Sequence, residues 1–335
     1  MRIIPSILLA TAAAWVGGAA GAAPTGQPIY KEIAVTPVPQ MPEGDWDQLA
    51  TDVAHNRIYV SGEDGALMAV FNLETGALIA SGGDVASPHK VVFDPKTGHL
   101  LVAEGKDGTV KVLTGDLKTI AAIPVGAKSD TGAIDLAGRI FYVSGRSDES
   151  GSQISAISLD TLKVMRRFPV PAMTLKGLVL DKVGGRLFVS MRDKNAVGVI
   201  DLKTGMVDSW TSANLNKNVP LAFDSRSQRL FAGSREPGRL VVLDAKTGRE
   251  LQSLPGTETA DSMSFDSKRR VLYVSGDSGM SRYRIAGDGT ATLLETDPSL
   301  VGKSSLYVGA NQRLYIMRPR KGETVAALQI YAVRD

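Results

Sequence analysis

The chain has 335 residues, with 38 lysines and arginines against 35 aspartates and glutamates, and it contains no cysteine. The lack of cysteine excludes disulfides, thiolate metal sites, thioester chemistry and covalently attached c-type haem. A net charge of +3 does not by itself indicate a nucleic-acid partner. The length exceeds the usual size of one compact core, which predicts either several domains or a repeat.

The amino-terminal segment has the pattern of a secretory signal peptide. Arg2 precedes an apolar run, and small residues lead up to Ala22. We predict a signal peptide over residues 1–22 and a single mature domain over residues 23–335. An uncleaved anchor helix is the alternative, which the helix-weakening Gly17 disfavours. We therefore expect a periplasmic or secreted protein with no membrane span after cleavage.

One short apolar motif recurs seven times along the mature chain. The copies are RIYVSG, HLLVAE, RIFYVSG, RLFVS, RLFAGS, RVLYVSG and RLYIM, beginning at Arg57, His99, Arg139, Arg186, Arg229, Arg270 and Arg313. Their spacing of 40 to 47 residues is typical of propeller blades. Because the motifs are short, β-branched and aromatic, they indicate strands rather than helices. The sequence thus predicts an all-β, seven-bladed β-propeller with four antiparallel strands, A to D, in each blade.

The last predicted blade lacks one strand that the other six have. They span residues 41–86, 87–128, 129–173, 174–216, 217–259, 260–301 and 302–335. The last blade supplies strands A, B and C only, so we predict that the segment YKEIAVTPV, residues 30–38, forms its outer strand. Such closure leaves no unpaired gap between the first and last blades. A six-bladed ring with a loose tail is the competing interpretation.

Two repeat units carry a family resemblance. The segments LVLDKVGGRLFVSMRDKNAVGVIDLKTG and LAFDSRSQRLFAGSREPGRLVVLDAKTG resemble the YVTN-repeat propellers of the periplasmic YncE-like group, a WD40-like repeat. The likeness covers about residues 29–335 and implies an exported bacterial seven-bladed propeller. Its matching positions are strand and turn residues, so it implies no chemistry. Propellers of related lineage include lactonases and subunits of quinone or copper enzymes, which leaves binding and catalysis both open.

The residues that precede or begin strand A share one face of the predicted propeller and form a candidate ligand-binding ring. This mostly charged ring consists of Trp46, Asp47, His89, Lys90, Asp130, Lys176, Asp261 and Lys303. Charges of both signs at a channel mouth suit a polar or anionic ligand, with Trp46 as a stacking surface. Solvated loop ends are the structural alternative.

Other charged positions divide between the two faces. The loops between strands B and C add charges to the channel-mouth face, including Glu63, Glu104, Arg192 and Arg235, which would orient a charged partner unless they are ordinary solvated turns. On the opposite face, arginine begins strand B in six blades. Repetition in nearly every blade favours a folding role, in which the guanidinium pairs with carboxylates or carbonyls of the turns.

Metal and catalytic signals are weak. His55 and His99 lie on the face opposite His89, so a three-histidine site is disfavoured. Asp47, His89 and Asp130 could share a divalent ion, as a metal-assisted lactonase would require. Nearby lysines oppose that reading because their charge repels a cation.

These observations favour an exported, non-catalytic binding or scaffold propeller that acts at the channel-mouth face. We expect no cofactor and no metal, a monomeric state, and a polar small molecule, a peptide or an envelope protein as the partner. A metal-assisted lactonase-like hydrolase is the alternative. Single-stranded nucleic acid is disfavoured, because the mature net charge is only +2 and Trp46 and Trp210 are its only tryptophans.

Overall fold

The structure is a computed structural model, and it describes residues 28–147 and 151–334. The predicted signal peptide and its cleavage after Ala22 lie outside these residues. Within the described ranges no helix is long and apolar enough to cross a membrane. The helical content there is one short 3-10 turn, Arg192–Lys194.

The first strand, β1 (Tyr30–Pro37), does not pair with the strands that follow it directly in sequence. It belongs to the last sheet of the chain. The first sheet contains β2 (Leu49–Asp52), β3 (Arg57–Gly62), β4 (Leu67–Asn72) and β5 (Leu78–Gly82). The second contains β6 (Pro88–Asp94), β7 (His99–Glu104), β8 (Thr109–Thr114) and β9 (Thr119–Pro124). The third contains β10 (Gly132–Asp135), β11 (Ile140–Arg146), β12 (Ser152–Ser158) and β13 (Val164–Val170).

Four further sheets follow in the same order along the chain. The fourth contains β14 (Leu175–Asp181), β15 (Arg186–Met191), β16 (Ala196–Asp201) and β17 (Val207–Thr211). The fifth contains β18 (Leu221–Asp224), β19 (Arg229–Arg235), β20 (Gly238–Asp244) and β21 (Glu250–Pro255). The sixth contains β22 (Ser262–Asp266), β23 (Val271–Gly276), β24 (Gly279–Ile285) and β25 (Ala291–Asp297). The seventh contains β26 (Ser304–Val308), β27 (Arg313–Arg318) and β28 (Ala327–Val333), with β1 beside β28.

The seven sheets are the blades of a β-propeller, as the repeat predicted. Most neighbouring first strands contact each other, β2 contacts β26, and the amide of Lys90 in β6 donates a hydrogen bond of 3.0 Å to the carbonyl of Asp130, which precedes β10. The first strands therefore line the axis, and the ring is closed. The second and third strands are the most buried; for example, five of six residues of Arg57–Gly62 are buried. Outer strands such as Leu78–Gly82 alternate between half-buried and exposed positions because only one of their faces meets a neighbouring blade.

Closure of the ring by the amino-terminal strand is confirmed. β1 pairs antiparallel with β28, from Tyr30 opposite Val333 to Pro37 opposite Ala327. The two ends of the chain therefore share one sheet, and the edge of β28 is covered rather than left open to solvent.

The repeated arginines on the face opposite the channel mouth have the structural role that their repetition predicted. Arg139 in the third blade donates two hydrogen bonds, of 2.6 and 2.8 Å, to the buried carboxylate of Asp94 in the second blade. Arg270 in the sixth blade pairs with Asp224 in the fifth at 2.6 Å. These contacts tie neighbouring blades together, because a guanidinium can satisfy both oxygens of one carboxylate.

Candidate functional site

A cavity of about 410 Å³ lies on the propeller axis and is called the axial chamber below. Its charged lining consists of Asp45, Asp47, Glu63, Lys90, Asp130, Lys176, Arg192, Arg235, Asp261 and Lys303. Most of these residues precede or begin a first strand, and the others lie at the turns between second and third strands. The architecture thus brings together charges that are far apart in the sequence.

Six of the eight ring residues predicted from the sequence line this chamber. They are Asp47, Lys90, Asp130, Lys176, Asp261 and Lys303. His89 reaches the same cluster by bonding to Asp47. The lining residues outside the predicted ring include Glu63, Arg192 and Arg235, which sequence reasoning placed only in the loops between strands B and C. Their predicted position on the channel-mouth face was the sequence signal that could have identified them as site residues.

The prediction that Trp46 forms a stacking surface for a ligand is wrong. Its side chain is only 2% exposed and packs in a hydrophobic cluster with residues of the first and seventh blades, including Leu49 and Tyr315. Its backbone carbonyl accepts a hydrogen bond of 2.6 Å from the hydroxyl of Ser304. A large aromatic ring is more stable in the seam where the propeller closes than at a wet channel mouth, so Trp46 has a packing role.

Irregular pairing in two first strands accompanies the charged positions. In the second blade the register shifts between Pro88 and Val91, so His89 and Lys90 lie in an irregular stretch. In the fourth blade the register shifts between Lys176 and Leu178. An irregularity of this kind locally re-aims side chains. It therefore helps to explain why polar groups of these strands reach the axial chamber and its surroundings.

His89 forms the most buried contact of the site. Its Nδ1–H donates a hydrogen bond of 2.6 Å to Asp47, while Glu63 and Asp130 lie 3.7 and 3.8 Å from the same nitrogen. Burial lowers the pKa of His89, but the bond to Asp47 and the three nearby carboxylates outweigh it and raise the pKa from 6.5 to about 9. The imidazole is therefore a cation at neutral pH.

The neighbourhood of His89 also affects the adjacent groups. Burial raises the pKa of Glu63 from 4.5 to about 7, although the charge of His89 acts in the opposite direction. A side chain at Gly105 would not fit, because its Cβ would lie 2.5 Å from Nε2 of His89. The absence of a side chain at that position thus leaves space for the imidazole.

Three more aspartates around the chamber have cationic partners. The ammonium of Lys176 donates a short hydrogen bond to Asp130, and the ammonium of Lys303 donates one to Asp45. Asp261 lies 3.7 Å from the guanidinium of Arg235. Burial raises the pKa of Asp261 to about 6, and the charge of Asp47 adds to that effect.

Several acidic residues of the channel-mouth loops hold the backbone rather than face a partner. Glu104 accepts hydrogen bonds of 2.8 and 3.0 Å from the amides of Ala86 and Ser87. Asp193 accepts bonds of 3.0 and 2.9 Å from the amides of Met173 and Thr174. These carboxylates fix the loops that lead into the next first strand, because each accepts hydrogen bonds from two consecutive backbone amides. These two carboxylates therefore have a structural role, and the buried Glu104 is neither the partner-orienting charge nor the solvated turn residue that the sequence predicted.

One group of side chains has the composition of a metal site. Single ligand atoms of Asp47, Glu63 and His89 all lie within 4.8 Å of one another. The sequence had placed Asp130 in this group, but the structure pairs the Asp130 carboxylate with Lys176 and brings Glu63 to the third position. The donors suit a divalent ion, whereas the protonated imidazole and the nearby ammonium groups oppose one.

Comparison with known proteins shows the fold alone. No protein-family model matches the chain, and no curated protein sequence matches it. A chain in the crystal structure of a mitotic checkpoint complex is similar in structure, with 15% identity and a TM-score of 0.75, over 100% of this chain and 99% of that one. A chain of hydrazine synthase from Kuenenia stuttgartiensis is similar with 13% identity and a TM-score of 0.71, over 83% of this chain and 93% of that one. The molecule is a seven-bladed β-propeller.

Proposed function

We propose that this protein is a non-catalytic binding propeller that holds a polar small molecule in the axial chamber. The observation that carries the proposal is a chamber of about 410 Å³ on the axis, lined by ten charged side chains from the first strands and their loops. Its volume lies within the range of small-molecule sites, about 300–1,000 Å³. Such a density of polar groups suits a polar ligand better than an apolar one.

The family and the location belong to the same proposal. The repeat resembles YVTN-repeat propellers of the YncE-like group, and the leader predicts export to the periplasm or outside the cell. Expression of residues 1–335 with this leader in a bacterium is expected to yield periplasmic protein that begins at Ala23. Mass spectrometry of the intact periplasmic protein checks this, and a cytoplasmic chain that keeps residues 1–22 would contradict export.

A pair of methionine substitutions tests the binding site. Met263 lines the axial chamber, whereas Met165 is 55% exposed on an outer strand. We expect polar small molecules that raise the thermal unfolding midpoint of the natural protein to lose this effect in Met263→Trp, because the indole occupies chamber space. A thermal-shift screen measures the effect, since a ligand at about 100 times its Kd stabilises the folded state by about 2.7 kcal/mol.

The matched variant Met165→Trp controls for the added bulk of tryptophan. It is expected to respond to the same molecules as the natural protein. If both variants respond equally to every ligand, binding takes place outside the chamber and the proposal is wrong. The same conclusion follows if no polar small molecule shifts the natural protein.

A metal-assisted hydrolase, lactonase-like in its chemistry, is the second candidate. The proximity of Asp47, Glu63 and His89 favours it, because these side chains could hold a divalent ion that polarises a carbonyl group. Measured divalent-ion content and lactone hydrolysis separate the two candidates. Stoichiometric metal, together with hydrolysis that Glu63→Gln removes and Asp130→Ala leaves, would favour the hydrolase over the binding protein.

A further inference from the structure

The lining of the axial chamber has five cations and five carboxylates, and His89, which bonds to Asp47 from outside the lining, adds a sixth cation. Four aspartates, Asp45, Asp47, Asp130 and Asp261, each lie within 4.0 Å of a cationic side chain: Lys303, His89, Lys176 and Arg235, respectively. Asp130 also lies 3.8 Å from His89. The remaining charged groups of the lining are Lys90, Arg192 and Glu63. Two cations therefore stand against one carboxylate, and Glu63 already lies near the imidazolium of His89.

Lys90 is one of two chamber cations without an ion pair. Among the residues that the structure describes, its ammonium has no carboxylate within 4.0 Å, and its recorded side-chain hydrogen bond goes to the neutral Oε1 of Gln48 at 3.4 Å. Burial lowers the pKa of Lys90, and the charge of Asp47 opposes that effect only in part. A half-buried ammonium without a carboxylate partner is costly, so an anion in the chamber would stabilise it.

Arg192 approaches the chamber from another blade. It begins the 3-10 turn between β15 and β16, and the next residue, Asp193, is bonded to two backbone amides that hold the turn in place. Within the described ranges, the Arg192 guanidinium forms no ion pair within 4.0 Å and no hydrogen bond, although its charge contributes to the lowered pKa of Glu236. A guanidinium in this position has its donors free for a carboxylate or phosphate group.

A second cavity, of about 390 Å³, adjoins the chamber and is called the vestibule below. It shares Glu63, Asp130, Lys176 and Arg192 with the chamber, so the same side chains border both spaces. The charged residues that the vestibule adds, among those the structure describes, are all basic: His89, Lys106, Lys128 and Arg146. The space beside the chamber therefore carries an excess of positive charge, which attracts anions.

We infer that the axial chamber takes a small organic anion, whose carboxylate or phosphate group is held by Lys90 and Arg192. This inference rests on the proposed binding function and names the class of its ligand. A negatively charged group supplies the counterion that Lys90 lacks and accepts hydrogen bonds from the free N–H groups of Arg192. A cationic ligand would meet the same two unpaired charges and be repelled.

Isothermal titration calorimetry of the mature chain, residues 23–335, tests the inference with four probes. Fumarate and inorganic phosphate are the anions, glucose is the neutral probe and putrescine is the cationic probe. We expect fumarate or phosphate to bind, and the stronger of the two identifies the anionic group. Lys90→Gln and Arg192→Gln are each expected to weaken that binding about tenfold or more, as the loss of a charge-assisted hydrogen bond predicts.

Two exposed residues give matched control variants. Lys118→Gln and Arg249→Gln remove the same charges from turns outside the chamber, and both are expected to bind as the natural protein does. If Lys90→Gln does not fold, Arg192→Gln still tests the same ligand from a different blade. Equal weakening in all four variants would mean nonspecific attraction and would overturn the inference.

The two proposals fail in different ways. Binding of glucose or putrescine, unaffected by Lys90→Gln and without binding of either anion, would overturn the anion assignment and leave a binding propeller. If none of the four probes binds, both the anion assignment and the binding function are wrong.

Discussion

A chain that begins at Val38 is expected to unfold at a temperature at least about 10 °C below that of a chain that begins at Pro28. The shorter chain lacks β1, whose seven paired residues cover the edge of β28. Leu328 and Ile330, both fully buried, would then gain solvent exposure. Full exposure of such a side chain lowers the free energy of unfolding by about 1.5–3 kcal/mol. Thermal unfolding followed by circular dichroism measures the difference.

The longer chain is the control, because it differs only by the ten residues that contain β1. The shorter chain is also expected to self-associate in size-exclusion chromatography, since an uncovered strand edge pairs with other chains. A synthetic peptide of residues 28–37 is expected to restore part of the lost stability when added to it. Equal unfolding temperatures for the two chains would show that β1 does not hold the ring closed.

The second large effect concerns pH. Fumarate, which remains a dianion between pH 6 and pH 8, is expected to bind about tenfold more tightly at pH 6 than at pH 8. Burial raises the pKa of Glu63 to about 7 and that of Asp261 to about 6, so both carboxylates lose negative charge as the pH falls through this range. His89, with its pKa raised to about 9, remains a cation throughout.

The direction of this effect depends on all the charges that face the two carboxylates. Glu63 is surrounded by His89, Asp47, Lys176 and Asp130. Asp261 is surrounded by Asp47, Lys303, Arg235 and Lys176. The lysines and the arginine keep their charge from pH 6 to pH 8, and the pKa of Asp47 is lowered, because the hydrogen bond and charge of His89 outweigh its burial. Among these groups the change in net charge thus comes from Glu63 and Asp261, and the lowered pKa of Lys90 acts in the same direction, since a falling pH favours its cationic form.

The variant Glu63→Gln with Asp261→Asn provides the control for the pH effect. It is expected to bind fumarate with the same affinity at pH 6 and pH 8, measured by titration calorimetry in buffers of equal ionic strength. A divalent cation at Asp47, Glu63 and His89 would show the reverse trend, because its ligands must lose protons. Tighter fumarate binding at pH 8 in the natural protein would contradict the assignment of these charges.

The sequence predicts the ring well because each blade repeats its own signals. The seven copies that begin with residues such as Arg57 and His99 set the number of sheets, and the three-stranded end of the chain predicts the pairing of β1. The structural role of the arginines follows from the same repetition, since a residue present in nearly every blade is more typical of folding than of a single binding site. Membership of the YncE-like group and export remain predictions.

The chamber is less predictable because its contacts join single residues of different blades. Trp46 adjoins Asp47 in the sequence, yet its side chain packs in the closing seam while the carboxylate of Asp47 bonds to His89. Glu63 lies in a loop between second and third strands, and no repeat distinguishes it from solvated acidic residues. The partners of Asp130 and Lys90 likewise depend on side-chain positions that strand periodicity does not encode.

A crystal structure of residues 23–335 grown with fumarate at pH 6 tests the central claim most directly. We predict fumarate inside the axial chamber, with carboxylate oxygens within hydrogen-bond distance of Nζ of Lys90 and of the Arg192 guanidinium. Fumarate bound only on the outer surface, or a chamber filled by the protein's own side chains, would contradict it.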